Sequence, residues 1–195
     1  MNIFTIIYFA AMVLQIIIRT PFDQKRRKGK ISESRVTSQE KTALGLLSLG
    51  TLLIPIIYAA THWLDFSNYT LPTWMGWLGV VILVAGLYIF WRAHTDLGVN
   101  WSPSLEIREQ HELITRGIYA IIRHPMYTSQ WLWVIAQPLL LQNWIAGVLN
   151  IPFFFMFYSL RVKAEENLML ERFGDQYRSY MEKVGGVFPK FQTRR

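Results

Sequence analysis

Cysteine is absent from the 195-residue chain. Its absence removes disulfides, thiolate nucleophiles and thiolate-held metals, and it leaves the redox compartment undetermined. Charge is scarce: 17% of residues are charged, against 52% hydrophobic and 15% aromatic, a balance too apolar for an ordinary soluble domain. The usual loops of soluble enzymes are missing as well. There is no GxGxxG, no Walker loop, no serine in a GxSxG turn and no HExxH, and His62, His94, His111 and His124 do not stand at ligand spacing. A Rossmann or P-loop cofactor site, a hydrolase elbow and a metal centre are therefore not expected. Neither an internal repeat nor a low-complexity tract breaks the chain, and its length suits one domain, 1–195.

What the chain does have is apolar segments. Ile3 to Ile18 carries no charge, and it lacks the basic leader and small-residue cleavage site of a signal peptide, so it reads as a retained span. Ala43 to Ala60 contains Pro55, a kink that neighbouring helices must accommodate. Trp74 to Trp91 follows, with tryptophan at both ends. Each is close to the roughly 20 residues that cross a hydrocarbon core. Tyr127 to Leu141 and Trp144 to Leu160 are joined only by Gln142 and Asn143 and read as a tight helical hairpin, its first arm short for a full span. The pattern predicts an all-α integral membrane protein with about five transmembrane helices: three in 1–91, and a functional region over 92–195.

The formal charge of +7 would suit nucleic acid, but the basic residues flank spans, so topology and lipid headgroups explain them better. Arg19 to Lys41 holds eight Lys/Arg, whereas His62 to Thr73 holds none. The positive-inside rule then puts the N-terminus outside and both large polar regions, 92–126 and 161–195, in the cytoplasm. Those regions would build a cytoplasmic pocket.

The first polar region contains a brief strand-like piece, Ser104 to Arg108, and then GIYAIIRHPMY. Tyr119 and Arg123 fall at i, i+4 on a short helical turn. Pro125 disfavours helix at His124 and suits the first turn of the next helix. Backbone N–H groups at that junction are expected to be free for an acceptor. In the second region Arg161 and Glu165 also stand at i, i+4. An Arg fork matches a carboxylate or phosphate, and an ionised Glu suits ribose hydroxyls or an ammonium group. The same spacing equally describes a helix-surface ion pair. His124 alone equally describes a helix-end hydrogen bonder, Tyr127 with Trp131 an interfacial aromatic belt, and Met126 simple packing. His94 and Asp96 could pair, though a surface or core role is the simpler account. Trp131 and Trp133 are sufficiently explained as membrane anchors.

HELITRGIYAIIRHPMY, a helical hairpin, and then RVKAEENLMLERFGDQYRSYMEKV resemble the isoprenylcysteine carboxyl methyltransferase family, related more distantly to membrane phospholipid N-methyltransferases. The resemblance covers about 90–190. It implies an integral membrane enzyme that uses S-adenosyl-L-methionine without a Rossmann domain and releases S-adenosyl-L-homocysteine. It implies cofactor contacts at His111, Glu112, Leu113 and Ile114, at Tyr119, at His124, Pro125, Met126 and Tyr127, and at Glu165, with Glu106 in a looser match and Arg123 as a brace. Arg161 matches the arginine assigned to the substrate carboxylate. The implied substrate is a lipophilic, prenylated carboxylate drawn from the membrane, with lipids as the surrounding partner and no nucleic acid. Where the family often has Gly two residues past the motif tyrosine, this chain has Ser129, which bears on the shape of the lipid entry. N-methylation of a phospholipid or small lipophile is the alternative enzyme reading, with Glu165 or Glu166 accepting the amine proton. A non-enzymatic scaffold or transporter subunit fits less well, because the spans hold almost no ionisable groups.

Overall fold

A computed structural model describes residues 2–27, 31–34, 37–98, 106–108 and 112–190, with 25–27, 31–34 and 106–108 described through their backbone. Among these residues seven α-helices follow one another: α1 (Ile3–Arg27), α2 (Ser38–Ser48), α3 (Ile54–Ala60), α4 (Thr73–Leu97), α5 (Pro125–Leu141), α6 (Asn150–Phe173) and α7 (Asp175–Lys183). A π-helical turn, Leu49–Leu53, joins α2 to α3 in one rod, and a second, Trp144–Val148, leads into α6. Among the described residues, four rods are long and apolar enough to cross a membrane: Ile3–Gln24, Ser38–Ala60, Thr73–Leu97 and Trp144–Phe173. Helix α5, with 17 residues, is shorter. The helical class expected from the sequence holds with one addition. β1 (Ile31–Ser34) pairs antiparallel with β2 (Glu106–Arg108), within the stretch that reads as strand-like.

Local chemistry explains how the rods meet. Gly79 and Gly86, seven residues apart on α4, face α5. A Cβ at Gly79 would lie 2.8 Å from the Leu139 Cβ, and one at Gly86 would lie 3.2 Å from both the Leu132 Cβ and the Ser129 carbonyl oxygen. Small residues let backbones approach where lipid supplies no hydrophobic drive between helices. Ser129 itself is buried, its hydroxyl returned to the Met126 carbonyl at 3.0 Å. Its side chain is thus spent on its own helix at the α4–α5 contact.

Pro55 has no N–H, so the Thr51 carbonyl four residues earlier loses its helical donor. The Tyr8 hydroxyl of α1 donates to it at 2.6 Å. The π turns also expose carbonyls, and one side chain serves both: Gln137 Nε2 of α5 donates to Gly50 O at 2.9 Å and to Ala146 O at 2.6 Å. Asn150 Nδ2 then donates to Gln137 Oε1 at 2.7 Å and to Thr51 Oγ1 at 3.0 Å. Backbone groups that lipid could not satisfy are thereby satisfied inside the bundle.

Trp133 is 2% exposed and packs against Tyr8, while Trp131 packs edge-on against Phe154 and Tyr158 of α6. These rings face protein, which corrects their reading as membrane anchors. Tyr127 likewise packs on Phe157 and Tyr158 and is no belt residue. Among the described residues the exposed tryptophans are others: Trp91 near the far end of α4, and Trp63, Trp74, Trp77 and Trp144 towards the loop 61–72. There Asn143 caps the turn into Trp144–Val148 through Ile145 N and Ala146 N, and donates to Leu64 O and Asn68 Oδ1, both at 2.8 Å.

Candidate active site

At the opposite end, where α1, α4 and α6 finish and α2 and α5 begin, the helices surround a cavity of about 390 Å³. Ten of the twelve residues singled out in the sequence line it: Glu112, Leu113, Ile114, Tyr119, His124, Pro125, Met126, Tyr127, Arg161 and Glu165. His111 lies outside the described residues, and Glu106 is described only through its backbone, as a residue of β2. Arg123 joins the lining, as do Arg19 and His94, which the spacing arguments did not assign to a site.

Behind the lining, Gly117 and Asp96 fix the turn that carries Tyr119. Gly117 has φ +61°, and a Cβ there would collide with the Asp96 carboxylate. That carboxylate accepts from Ile118 N at 2.8 Å and pairs with Arg92 at 3.0 Å. The turn Gly117–Ala120 is thus pinned to the end of α4 with Tyr119 buried. It is a 3-10 turn that ends before Arg123, so Tyr119 and Arg123 reach the cavity from separate local structures, not from one helical face. His94 and Asp96 do not pair: His94 Nδ1 hydrogen-bonds with Phe90 O at 2.9 Å.

The expectation of free N–H groups beside Pro125 is corrected. Arg123 N donates to Gly185 O at 2.8 Å and His124 N to Gly186 O at 3.1 Å, while the Thr128 hydroxyl donates to Val187 O at 2.7 Å. The chain after α7 therefore straps the start of α5. Arg123 secures the strap, its Nη1 donating to the carbonyls of Met181 and Val184. Its Nη2 meets Glu166 Oε1 at 2.8 Å, and His124 Nε2 reaches the same oxygen at 2.9 Å. A carboxylate only accepts, so Nε2 is the donor in that contact, and Nδ1 lies 3.8 Å from Glu165 Oε2. Glu166 is the functional candidate that sequence reasoning left in the background. Its adjacency to Glu165 was visible, but its task depends on two partners more than 40 residues earlier.

Arg161 is not spent on Glu165. It is 4% exposed and forms an ion pair with Glu40, a 6% exposed residue in the first turn of α2. The Tyr127 hydroxyl interacts with both Arg161 and Glu165. Around Tyr119, burial pushes the phenol well above its usual range, with the Glu165 carboxylate adding to the effect. Burial also raises Tyr177, and it pushes Tyr180 up to about 12. The Tyr180 hydroxyl donates to the Tyr119 carbonyl. For a phenol whose folded value lies above its unfolded one, the stabilisation is complete below pH 10 and is lost as pH climbs through 12. Thermal unfolding in detergent should therefore show a midpoint that falls between pH 10 and 12 in the native chain, and falls less in a Tyr180→Phe variant.

A mostly apolar cavity with a few convergent charges, at the end of a helical bundle whose rods suit a bilayer, defines an integral membrane protein with a small-ligand site. Known proteins narrow the class. The family model for the isoprenylcysteine carboxyl methyltransferase (ICMT) family matches residues 77–171. It is 30% identical over 141 residues to a protein-S-isoprenylcysteine O-methyltransferase of Dictyostelium discoideum, covering 71% of this chain and 59% of that protein. To the enzyme of that name from Schizosaccharomyces pombe it is 32% identical over 109 residues, covering 55% and 46%. To the one from Homo sapiens it is 28% identical over 163 residues, covering 79% and 57%. A solved structure of a eukaryotic intramembrane Ras methyltransferase, ICMT, superposes with a TM-score of 0.53 at 26% identity, covering 77% of this chain and 50% of that one. The chain spans about half the length of these curated relatives.

Proposed function

We propose that the protein is an S-adenosyl-L-methionine-dependent carboxyl O-methyltransferase of the membrane, acting on an isoprenylcysteine-type carboxylate. The observation that carries this reading is the convergence of Arg161 with Glu165 and the RHPMY residues on one cavity at the end of the bundle. The topology proposed with it has five spans, α5 and the rod 144–173 forming the last two as a hairpin. The N-terminus lies outside, and the cavity opens at the cytoplasmic surface. In this single domain, 1–91 supplies three spans and 92–195 the catalytic region.

The residues present suit the cofactor. A cavity of about 390 Å³ is within the usual range for small ligands. The Glu165 and Glu112 carboxylates match ribose hydroxyls or an α-ammonium group. Tyr119, Tyr127 and Met126, with His124 and Pro125, give faces for an adenine ring, and Leu113 and Ile114 close the other wall. Glu106 and His111, on the connector before this wall, complete the proposed set. Bound there, the cofactor supplies a methyl group already activated on a sulfonium, and S-adenosyl-L-homocysteine is the product.

What the chain must do is orient and desolvate. A carboxylate is ionised at pH 7 and is itself the nucleophile, so no general base is required. Arg161, buried, offers the edge of its fork that Glu40 does not occupy to that carboxylate, while the prenyl tail lies among apolar side chains. Partial removal of water at this position makes the carboxylate more reactive.

Arg161→Gln is expected to raise the KM for a small prenylcysteine about tenfold or more, with the cofactor Kd within about twofold of the native value. Glu165→Gln is expected to do the reverse. Steady-state kinetics paired with calorimetric cofactor titration checks both, and equal losses of cofactor affinity in the two variants would refute the division of labour.

One observation favours a second reading. Glu40 already neutralises Arg161, and that balance suits an amine-bearing lipophile or phospholipid whose nitrogen is methylated, with Glu165 or Glu166 taking its proton. Membranes supplied with methyl-labelled S-adenosyl-L-methionine and a small prenylcysteine separate the two. Base-labile label means a methyl ester, and base-stable label in a lipid fraction means N-methylation. No cofactor binding at all sinks the enzyme reading.

A further inference from the structure

We infer that Glu40 is a positioning residue: through its ion pair it holds the Arg161 guanidinium with one edge turned to the substrate carboxylate. The inference rests on the carboxyl methyltransferase reading above and reaches beyond it, because Glu40 lies outside the family-matched stretch 77–171 and comes from the second rod.

Three observations converge on it. Thr37, Ser38, Gln39 and Glu40 form a T-x-x-E start in which Thr37 Oγ1 accepts from Glu40 N at 3.1 Å. In such a start the glutamate side chain ordinarily turns back to the cap N–H. Here it leaves that local task and pairs with a residue 121 positions later. Secondly, the pair is buried on both sides, and it stands where two cavities meet. The cavity already described lies on one side, and a second of about 360 Å³ on the other, lined by Thr37, Gln39, Leu160, Ala164 and Asn167; Arg161 lines both. A long arginine side chain between two open spaces has room to swing, and only an anchor fixes which space its fork addresses. Thirdly, Glu40 gives Arg161 a single oxygen. Its Oε2 is buried with no hydrogen-bond partner among the described residues. With Tyr127 as its other side-chain partner, a one-oxygen contact to Nη1 still leaves donors of the fork for a second anion, more than a bidentate pair would.

Moving the anchor should therefore change substrate binding and leave the cofactor alone. The test uses the full chain in detergent or proteoliposomes, with variants Glu40→Ala, Glu40→Asp and Glu40→Gln. Each is assayed for cofactor Kd, for the KM of a small prenylcysteine and for the unfolding midpoint. Glu40→Asp keeps the charge but shortens the arm by one methylene, so it should raise KM about tenfold even if Glu40→Ala proves too unstable to assay. Glu40→Gln keeps an acceptor at full length and should stay within about threefold of the native KM. Cofactor Kd should remain within about twofold in every variant. In an Arg161→Gln background, Glu40→Asp should cost nothing further in KM. An unchanged KM in Glu40→Asp overturns the inference, and so does an equal loss of cofactor affinity, or a full extra loss in the Arg161→Gln background. If instead the native protein binds cofactor but esterifies no carboxylate, it is the functional reading that fails, and this positioning role falls with it.

Discussion

Arg123→Ala is expected to lower the stability of the protein by about 3 kcal/mol and to weaken cofactor binding about 100-fold. The guanidinium serves the Met181 and Val184 carbonyls and the Glu166 carboxylate at once. Removing one partner of a mostly buried pair leaves the other uncompensated, a loss on the order of 3–5 kcal/mol when the burial is complete. Two structures go with it. The strap 184–187 loses its fastening to the start of α5, and Glu166 loses one of the two donors that fix it against His124. Arg123→Lys should recover little, because a single ammonium cannot reproduce a planar fork that spans three acceptors. Arg178→Ala is the matched control: that arginine pairs with Asp175 in the open, 70% and 92% exposed, and its loss should leave cofactor binding unchanged. Calorimetric cofactor titration with denaturant unfolding in detergent checks all three.

The second large effect is expected far from the cavity. Gln137→Leu should cost about 2–3 kcal/mol of stability while leaving cofactor affinity within about twofold. Leucine matches the volume but strands the Gly50 and Ala146 carbonyls and leaves Asn150 Nδ2 with Thr51 alone. Each buried polar group left unsatisfied costs about 1–3 kcal/mol, and inside a bilayer no water enters to soften the loss. Measured interhelical hydrogen bonds in membranes are smaller on average, so the expected value sits below the sum of the broken bonds. Unfolding of the purified protein in mixed micelles reads it directly.

These two sites also show which parts of the molecule could be seen from the sequence. The long rods were legible because a bilayer imposes one length and one composition on whatever crosses it. The Gln142–Asn143 connector was legible because it interrupts an apolar run. Pro55 announced a disturbed helix, yet nothing local said that Tyr8, Gln137 and Asn150 would repair it, since each lies far along the chain. The same distance hid the true partner of Arg161. Spacing offered Glu165 at i, i+4, whereas burial selected Glu40 from another helix. The N–H groups beside Pro125 were correctly seen as released from the helix, but their new partners, Gly185 and Gly186, have no side chain to signal them. Trp131 and Trp133 misled because tryptophan near a helix start suits an interface and a packed core equally. Composition reported the solvent, and short-range pattern reported the rods. The contacts that give the cavity its shape are long-range and polar, and they leave no periodic trace.

The π turn Leu49–Leu53 has a geometric consequence for Glu40. Such a turn behaves as one residue inserted into an α-helix, and each α-helical residue advances the azimuth by about 100°. Everything on the N-terminal side of the turn is thereby indexed differently about the axis from everything beyond Pro55. Excising one residue within 49–53 would restore a continuous spiral and swing Glu40 by about a quarter-turn relative to α3. The acid would then point away from Arg161, although no residue of the cavity had been altered. The second rod thus works as a dial, set by one surplus residue, that aims a carboxylate at the site.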